Sequence, residues 1–106
     1  MALPGDPHDA YLPRNSLTFA PMPQQNIDLP DQAEWRDVTG AAQLVLYVNE
    51  LGYVDEVAVR ESTLPQVIVQ AAIDQFKRAV FSPGLKENQP VKSRILIEIR
   101  YQNGKS

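Results

Sequence analysis

The chain contains no cysteine, so a disulfide framework and a thiolate metal site are both excluded. Its one histidine, His8, stands among the prolines and glycine of the N-terminus, where a lone imidazole faces solvent and finds no second ligand. No apolar run is long enough to cross a bilayer or to act as a secretory signal. Basic residues never form a block. Ten Lys and Arg are interspersed with thirteen Asp and Glu, giving a net charge of −3, so no nucleic-acid or lipid surface is marked.

The parts of a catalytic site are equally scarce. Asp55 and Glu56 are adjacent, and on a strand they would face opposite sides rather than work as a pair. Ser62 has no imidazole to activate it other than that of His8. The glycines form no phosphate-binding pattern. Asp28, Asp31, Glu34 and Asp37 could gather as an acidic patch, but acids near a helix N-terminus account for most of them without a metal. The expectation is a protein that is not an enzyme and needs no metal or cofactor.

What is present is enough for one domain: 106 residues of ordinary apolar content. The most regular stretch is Pro90–Tyr101. Val91, Ser93, Ile95, Ile97, Ile99 and Tyr101 alternate with Lys92, Arg94, Leu96, Glu98 and Arg100, as in a strand with one buried face. Only Gln102–Ser106 follow, so no later segment can pair beside it, and an edge strand is expected. Ala42–Val48 alternates in the same way. Asn49-Glu50-Leu51-Gly52 then turns the chain, with a positive φ expected at Gly52. Tyr53–Arg60 returns with Val57 and Val59 inward, and Val54, out of phase with them, implies a bulge or a late start.

Two helices are expected. Pro30–Val38 carries Asp31 and Glu34 as a capping box and Gly40 as its stop. A longer helix begins at Ser62-Thr63-Leu64-Pro65 and runs to about Val80, with Ile68, Val69, Ala72, Ile73, Phe76, Ala79 and Val80 on one arc. Six of the nine prolines lie in residues 1–30, so that region reads as an irregular lead-in. Residues 1–12 are expected to be mobile. Leu17, Phe19, Met22 and Ile27 are too apolar for a free linker and should lie against the domain, where Leu17, Phe19 or Met22 could cover Tyr47. The division is then a lead-in over 1–28, a domain over 29–102 and a tail over 103–106. The fold class is α+β: a three-stranded antiparallel sheet in a split β-α-β arrangement, with helices packed on one face.

An ordered set of residues resembles a known family. Pro30 opens a short helix closed by Gly40. Leu44–Asp55 reads as an alternating strand, a turn glycine and Val-Asp. Val57-Ala58-Val59, Ser62, the amphipathic helix, Phe81-Ser82-Pro83-Gly84 and Pro90-Val91 follow in order. From Leu29 to Tyr101 the chain resembles the C-terminal domain of TonB-type energy transducers. It departs from the family at Leu29, where the family has tyrosine, at Ala79-Val80-Phe81, where an aromatic pair is usual, and at Asn88-Gln89, where a glycine is frequent.

The resemblance implies a periplasmic domain of a Gram-negative bacterium, held in the inner membrane through an upstream helix and driven by a proton-powered complex of the ExbB–ExbD type. Its partner would be the TonB box of an outer-membrane receptor that imports a siderophore or cobalamin. The resemblance places that partner on the last strand, at Val91, Lys92, Ser93, Arg94, Ile95, Leu96, Ile97, Glu98, Ile99, Arg100 and Tyr101, with Asn26, Ile27, Asp28 and Leu29 beside it. Arg94 and Arg100 would attract an acidic segment of the receptor. A second reading is a structural periplasmic linker like the terminal domain of TolA-type envelope proteins. A third is self-pairing of the same edge into a weak homodimer. Because the sequence offers no metal-ligand set, chelation should leave the thermal melting curve unchanged, and a downward shift on adding chelator would reopen the acidic patch.

Overall fold

The computed structural model describes residues 10–24, 27 and 37–102; the expected first helix falls outside these except at its last two residues. In chain order the strands are β1 (Leu12–Pro13), β2 (Met22–Pro23), β3 (Gly40–Val48), β4 (Val54–Ser62), β5 (Phe81–Ser82), β6 (Gly84–Lys86), β7 (Gln89–Val91) and β8 (Ser93–Tyr101). One helix, α1 (Gln66–Arg78), joins β4 to β5, and a 3-10 turn occupies Arg14–Ser16. The main sheet has the order β1-β8-β3-β4, while β2 pairs with β5 and β6 with β7.

The alternation seen in the sequence makes β3 the centre. It lies antiparallel to β4 on one side and to β8 on the other, so β4, α1 and β8 form the expected split β-α-β crossover. Ala42, Leu44, Leu46 and Val48 point to one face and are almost completely buried there. Opposite them on β8 stand Ile99, Ile97, Ile95 and Ser93. The apolar arc of α1 closes this face with Ile68, Val69, Ala72, Ile73 and Phe76. Each fully buried aliphatic side chain here contributes about 1.5–3 kcal/mol.

Two bulges adjust β4. Tyr47 pairs with Glu56 and Val48 with Val54, so Asp55 is the extra residue, and it swings Val54 back to the core side, where it is buried. This is the bulge the misplaced valine implied. A second shift between Gln43 and Leu44 leaves Arg60 extra. Val59 keeps its inward phase but stands at the margin of the core, 46% exposed.

The helix differs from expectation at both ends. No side chain caps its N-terminus. The Ser62 hydroxyl instead accepts from the Leu64 N–H at 3.0 Å, and the Thr63 hydroxyl accepts from the Ala41 N–H at 3.0 Å, so both bind the turn and β3. The helix stops at Arg78, before Val80. Ala79 is extended (ψ 149), Val80 bridges to Tyr53, and Phe81–Ser82 is already a strand. The β6–β7 hairpin was not anticipated as strands. Its two-residue turn, Glu87 and Asn88, has φ of 52 and 68, the double left-handed conformation of a type I′ turn.

The sheet also gains a strand. Leu12 and Pro13 run parallel to β8 beside Ser93 and Arg94. Residues 1–12 are therefore not uniformly mobile: Tyr11 is buried and Leu12 is hydrogen-bonded, while residues 1–9 lie outside the described set.

Gly52 has φ +90, and a Cβ placed on it would sit 1.9 Å from the carbonyl oxygen of Phe81. The same approach lets the Phe81 N–H donate to the Gly52 carbonyl at 2.8 Å, joining the hairpin turn to the chain leaving α1. Gly52→Val should therefore cost about 2–3 kcal/mol and lower the melting midpoint by roughly 10 °C or more. An unchanged midpoint would mean that the turn accommodates a side chain.

Candidate docking edge

Among the described residues, the outer edge of β8 is paired with a strand at one end only. The Leu12 N–H donates to the Lys92 carbonyl at 2.9 Å, which fixes the Lys92 carbonyl on the outer side. Main-chain groups alternate direction along a strand, so those of Arg94, Leu96, Glu98 and Arg100 follow on that side. β1 reaches no further than Arg94. Among the described residues, no strand pairs with the outer edge from Ile95 to Tyr101.

Beside this open stretch runs a groove of about 860 Å³. Phe76, Phe81 and Ile95–Ile99, Glu98 among them, line it together with Arg14 and Phe19–Pro23 of the lead-in. The lead-in is held there by main-chain bonds. Thr18 and Phe19 donate to the Leu85 carbonyl, Leu85 donates back to Phe19 at 2.9 Å, β2 pairs with β5, and Gln24 donates to Val80 at 3.0 Å. With its backbone fixed in this way, the segment leaves Phe19 61% and Met22 65% exposed at the groove.

The closed end is built around Tyr11. Its ring stands edge-on to Tyr47, with centroids 5.2 Å apart, and its hydroxyl donates to Asp55 at 2.6 Å. Asn49 supports Asp55 by donating to its other carboxylate oxygen at 2.9 Å, and accepts from the Leu51 and Tyr53 N–H groups. The lead-in thus covers Tyr47 as expected, but with Tyr11 rather than Leu17, Phe19 or Met22. The hydrogen bond to Asp55 pushes the Tyr11 phenol up to about 12, with burial and the charges of Asp55, Glu56 and Glu50 adding to it.

Lys92, Arg94 and Arg100 each have a contact within the chain. The Lys92 ammonium lies 5.5 Å from the centre of the Tyr11 ring, and the Arg94 guanidinium donates to the Tyr11 carbonyl. Arg100 pairs with Glu98 at 2.9 Å across exposed surface, a contact that contributes little to stability. Of the expected site residues, Val91 ends β7 and Lys92 links it to β8. Ser93 is fully buried against Gly84 with no partner for its hydroxyl, so its side chain is out of reach of any ligand. Ile95, Ile97 and Ile99 turn toward the core side and the groove, while Leu96 and Glu98, which also border the groove, and Arg100 are exposed. Tyr101 ends the strand, half-buried against the core. Ile27 packs half-buried beside the groove. Asn26, Asp28 and Leu29 lie outside the described residues. The sequence reading missed Tyr11, Leu12 and Pro13, whose one signal was an aromatic and an aliphatic residue set among prolines.

A phenol held protonated in the folded chain contributes stability that is complete below its ordinary pKa of about 10 and is lost as pH rises toward 12. The melting midpoint should therefore fall over that window. Tyr11→Phe should be less stable at neutral pH and show a shallower alkaline fall; equal slopes would mean that the bond to Asp55 carries no stability.

The comparisons with known proteins agree with this architecture. Residues 25–102 match the model of the family described as Gram-negative bacterial TonB protein C-terminal. The solution NMR structure of the Pseudomonas aeruginosa TonB C-terminal domain superposes with a TM-score of 0.62 at 17% identity, over 81% of this chain and 89% of that one. No curated protein matches the chain. With the matched region spanning most of the sequence, the chain belongs to the TonB C-terminal domain family.

Proposed function

We propose that this domain is the periplasmic, receptor-seizing end of a TonB-type energy transducer, and that it takes the TonB box of an outer-membrane receptor as an added strand on β8. The full protein is anchored in the inner membrane and works with an ExbB–ExbD-type complex, and the pull it delivers opens the receptor for import of a siderophore or cobalamin. The observation that carries this reading is that, among the described residues, no strand pairs with the outer edge of β8 from Ile95 to Arg100, beside a largely apolar groove. An exposed edge presents N–H and C=O groups that an extended peptide can pair with whatever its side chains.

The energetics set the mode of binding. About five main-chain hydrogen bonds at roughly 0.5–1.5 kcal/mol net each sum to roughly 3–7 kcal/mol. Association costs on the order of 4 kcal/mol or more in lost freedom, so pairing alone holds a peptide weakly and side chains must supply the rest. A weak, reversible grip suits a domain that must release its receptor after each cycle.

The test is amide NMR of the labelled domain titrated with box peptides from receptors of the same cell. Shifts should concentrate at Ile95–Tyr101 and in the lead-in. Shifts confined to Val54–Ser62 would move the site to the opposite edge. An absence of shifts with every receptor peptide would favour the structural linker.

A further inference from the structure

The main sheet ends on its other side at β4, whose main-chain groups have a definite phase. The Asn49 N–H donates to the Tyr53 carbonyl and the Thr63 N–H to the Ala41 carbonyl, both at 2.9 Å, so the odd-numbered residues of β3 turn their main-chain groups to β4. Between those ends Val45 pairs with Ala58, while Leu46 and Leu44 pair with Val57 and Val59. Ala58 therefore bonds to β3, and Val57 and Val59 turn their N–H and C=O groups outward. Among the described residues, no strand pairs with them, and the bridge of Val80 to Tyr53 lies ahead of β4. The bulges at Asp55 and Arg60 stand on either side and leave Glu56–Val59 regular.

Bulges and charges keep many edges from pairing, but the order of the charges on this one is self-complementary. An antiparallel two-fold about Ala58 sets Val57 opposite Val59 of a second copy and Glu56 opposite Arg60, and symmetry makes each contact twice. The same register joins the outward groups of Val57 and Val59 in about four main-chain hydrogen bonds. Moving the two-fold to Val57 or Val59 would part the charged pair. Asp55, which this register sets opposite Glu61, turns its carboxylate to the Tyr11 hydroxyl and the Asn49 amide instead. Glu56 and Arg60 are exposed and, by alternation with Val57 and Val59, lie on the face away from α1. On the α1 side, exposed Val59 borders a depression of about 330 Å³ with Leu64, Val69 and Ile73, which leaves room for the valines of a second copy.

We propose that β4 is a self-association edge: two copies of this domain pair their β4 strands antiparallel about Ala58, with Glu56 of each facing Arg60 of the other. The inference is independent of the strand-addition reading, because β3 separates β4 from β8 and the outer side of β8 stays at the far ends of the joined sheet. The interface is short and its ion pairs are exposed, so dissociation constants fall on the order of 0.1–1 mM. Association strengthens where chains are held close together.

The experiment uses the full chain. Sedimentation equilibrium from about 0.01 to 1 mM should show a dimer forming reversibly. Amide NMR over the same range should move Val57 and Val59 and leave Ile95–Tyr101 in place. The variants Glu56→Arg and Arg60→Glu, whose folding is checked by their melting midpoints, should each dimerise about tenfold more weakly, because each sets like charges opposite one another. Mixed in equal amounts the two variants should associate again, since each supplies the charge the other lacks; a purely structural role for either residue would not produce this rescue. Raising salt from about 0.1 to 0.5 M should weaken the dimer of the unaltered chain. A monomeric mass at the highest concentration would overturn the proposal. So would concentration-dependent shifts at Ile95–Tyr101 in place of β4, or mixed variants that associate no more tightly than either alone.

Discussion

The packing of β3 against α1 is the constraint on which the rest of the fold depends. Ala42, Leu44, Leu46 and Val48 are almost wholly buried, and this is possible only because β4 and β8 flank them and Ile68, Ala72 and Phe76 lie over them. A central strand with no solvent on its core face cannot slip by one residue without taking four aliphatics out of the core and turning Gln43, Val45 and Tyr47 into it. Its register therefore fixes the register of β8, and with it which main-chain groups of β8 look outward. The position of the outer edge of β8 thus follows from the core.

The second layer of the structure attaches to this core through single, short-range devices. Gly52 allows the Phe81 carbonyl to approach the β3–β4 turn, and the chain leaving α1 is steered from there into β5 and the β6–β7 hairpin. That hairpin presents the Leu85 carbonyl to Thr18 and Phe19, which holds the lead-in at the groove. A glycine on one side of the molecule thus determines where Phe19 stands on another, through backbone hydrogen bonds rather than side-chain packing.

The parts legible in the sequence were those governed by periodicity. β3, β4, β8 and α1 are long enough for a two- or four-residue repeat to register, and even the bulge at Asp55 announced itself through the misplaced Val54. The edge character expected of β8 from its place near the end of the chain holds among the described residues only beyond Arg94, because an earlier segment, β1, pairs with Ser93 and Arg94. What escaped was built from pieces too short to have a period. β1 is two residues, one of them proline, and its stability comes from Tyr11 reaching Asp55 and Tyr47, partners more than thirty positions away. The β6–β7 turn uses Glu87-Asn88 instead of a glycine pair, so the usual mark of a tight hairpin was missing. The engagement of Arg94 and Arg100 was likewise invisible, because charge counts do not reveal which cations have partners.

The β1 strap has a mechanical consequence. Among the described residues, tension arriving from the N-terminal side meets Tyr11 first and passes into β8 beside Ser93 and Arg94. The load does not traverse the core. The phenol bond to Asp55, the Arg94 bond to the Tyr11 carbonyl and the Leu12–Lys92 backbone bond stand first in line, ahead of the long β3–β8 ladder. A pull on that end would meet the two-residue strap, with its few hydrogen bonds, before the nine-residue β3–β8 ladder, so the strap is the section of the sheet that such a load would test first.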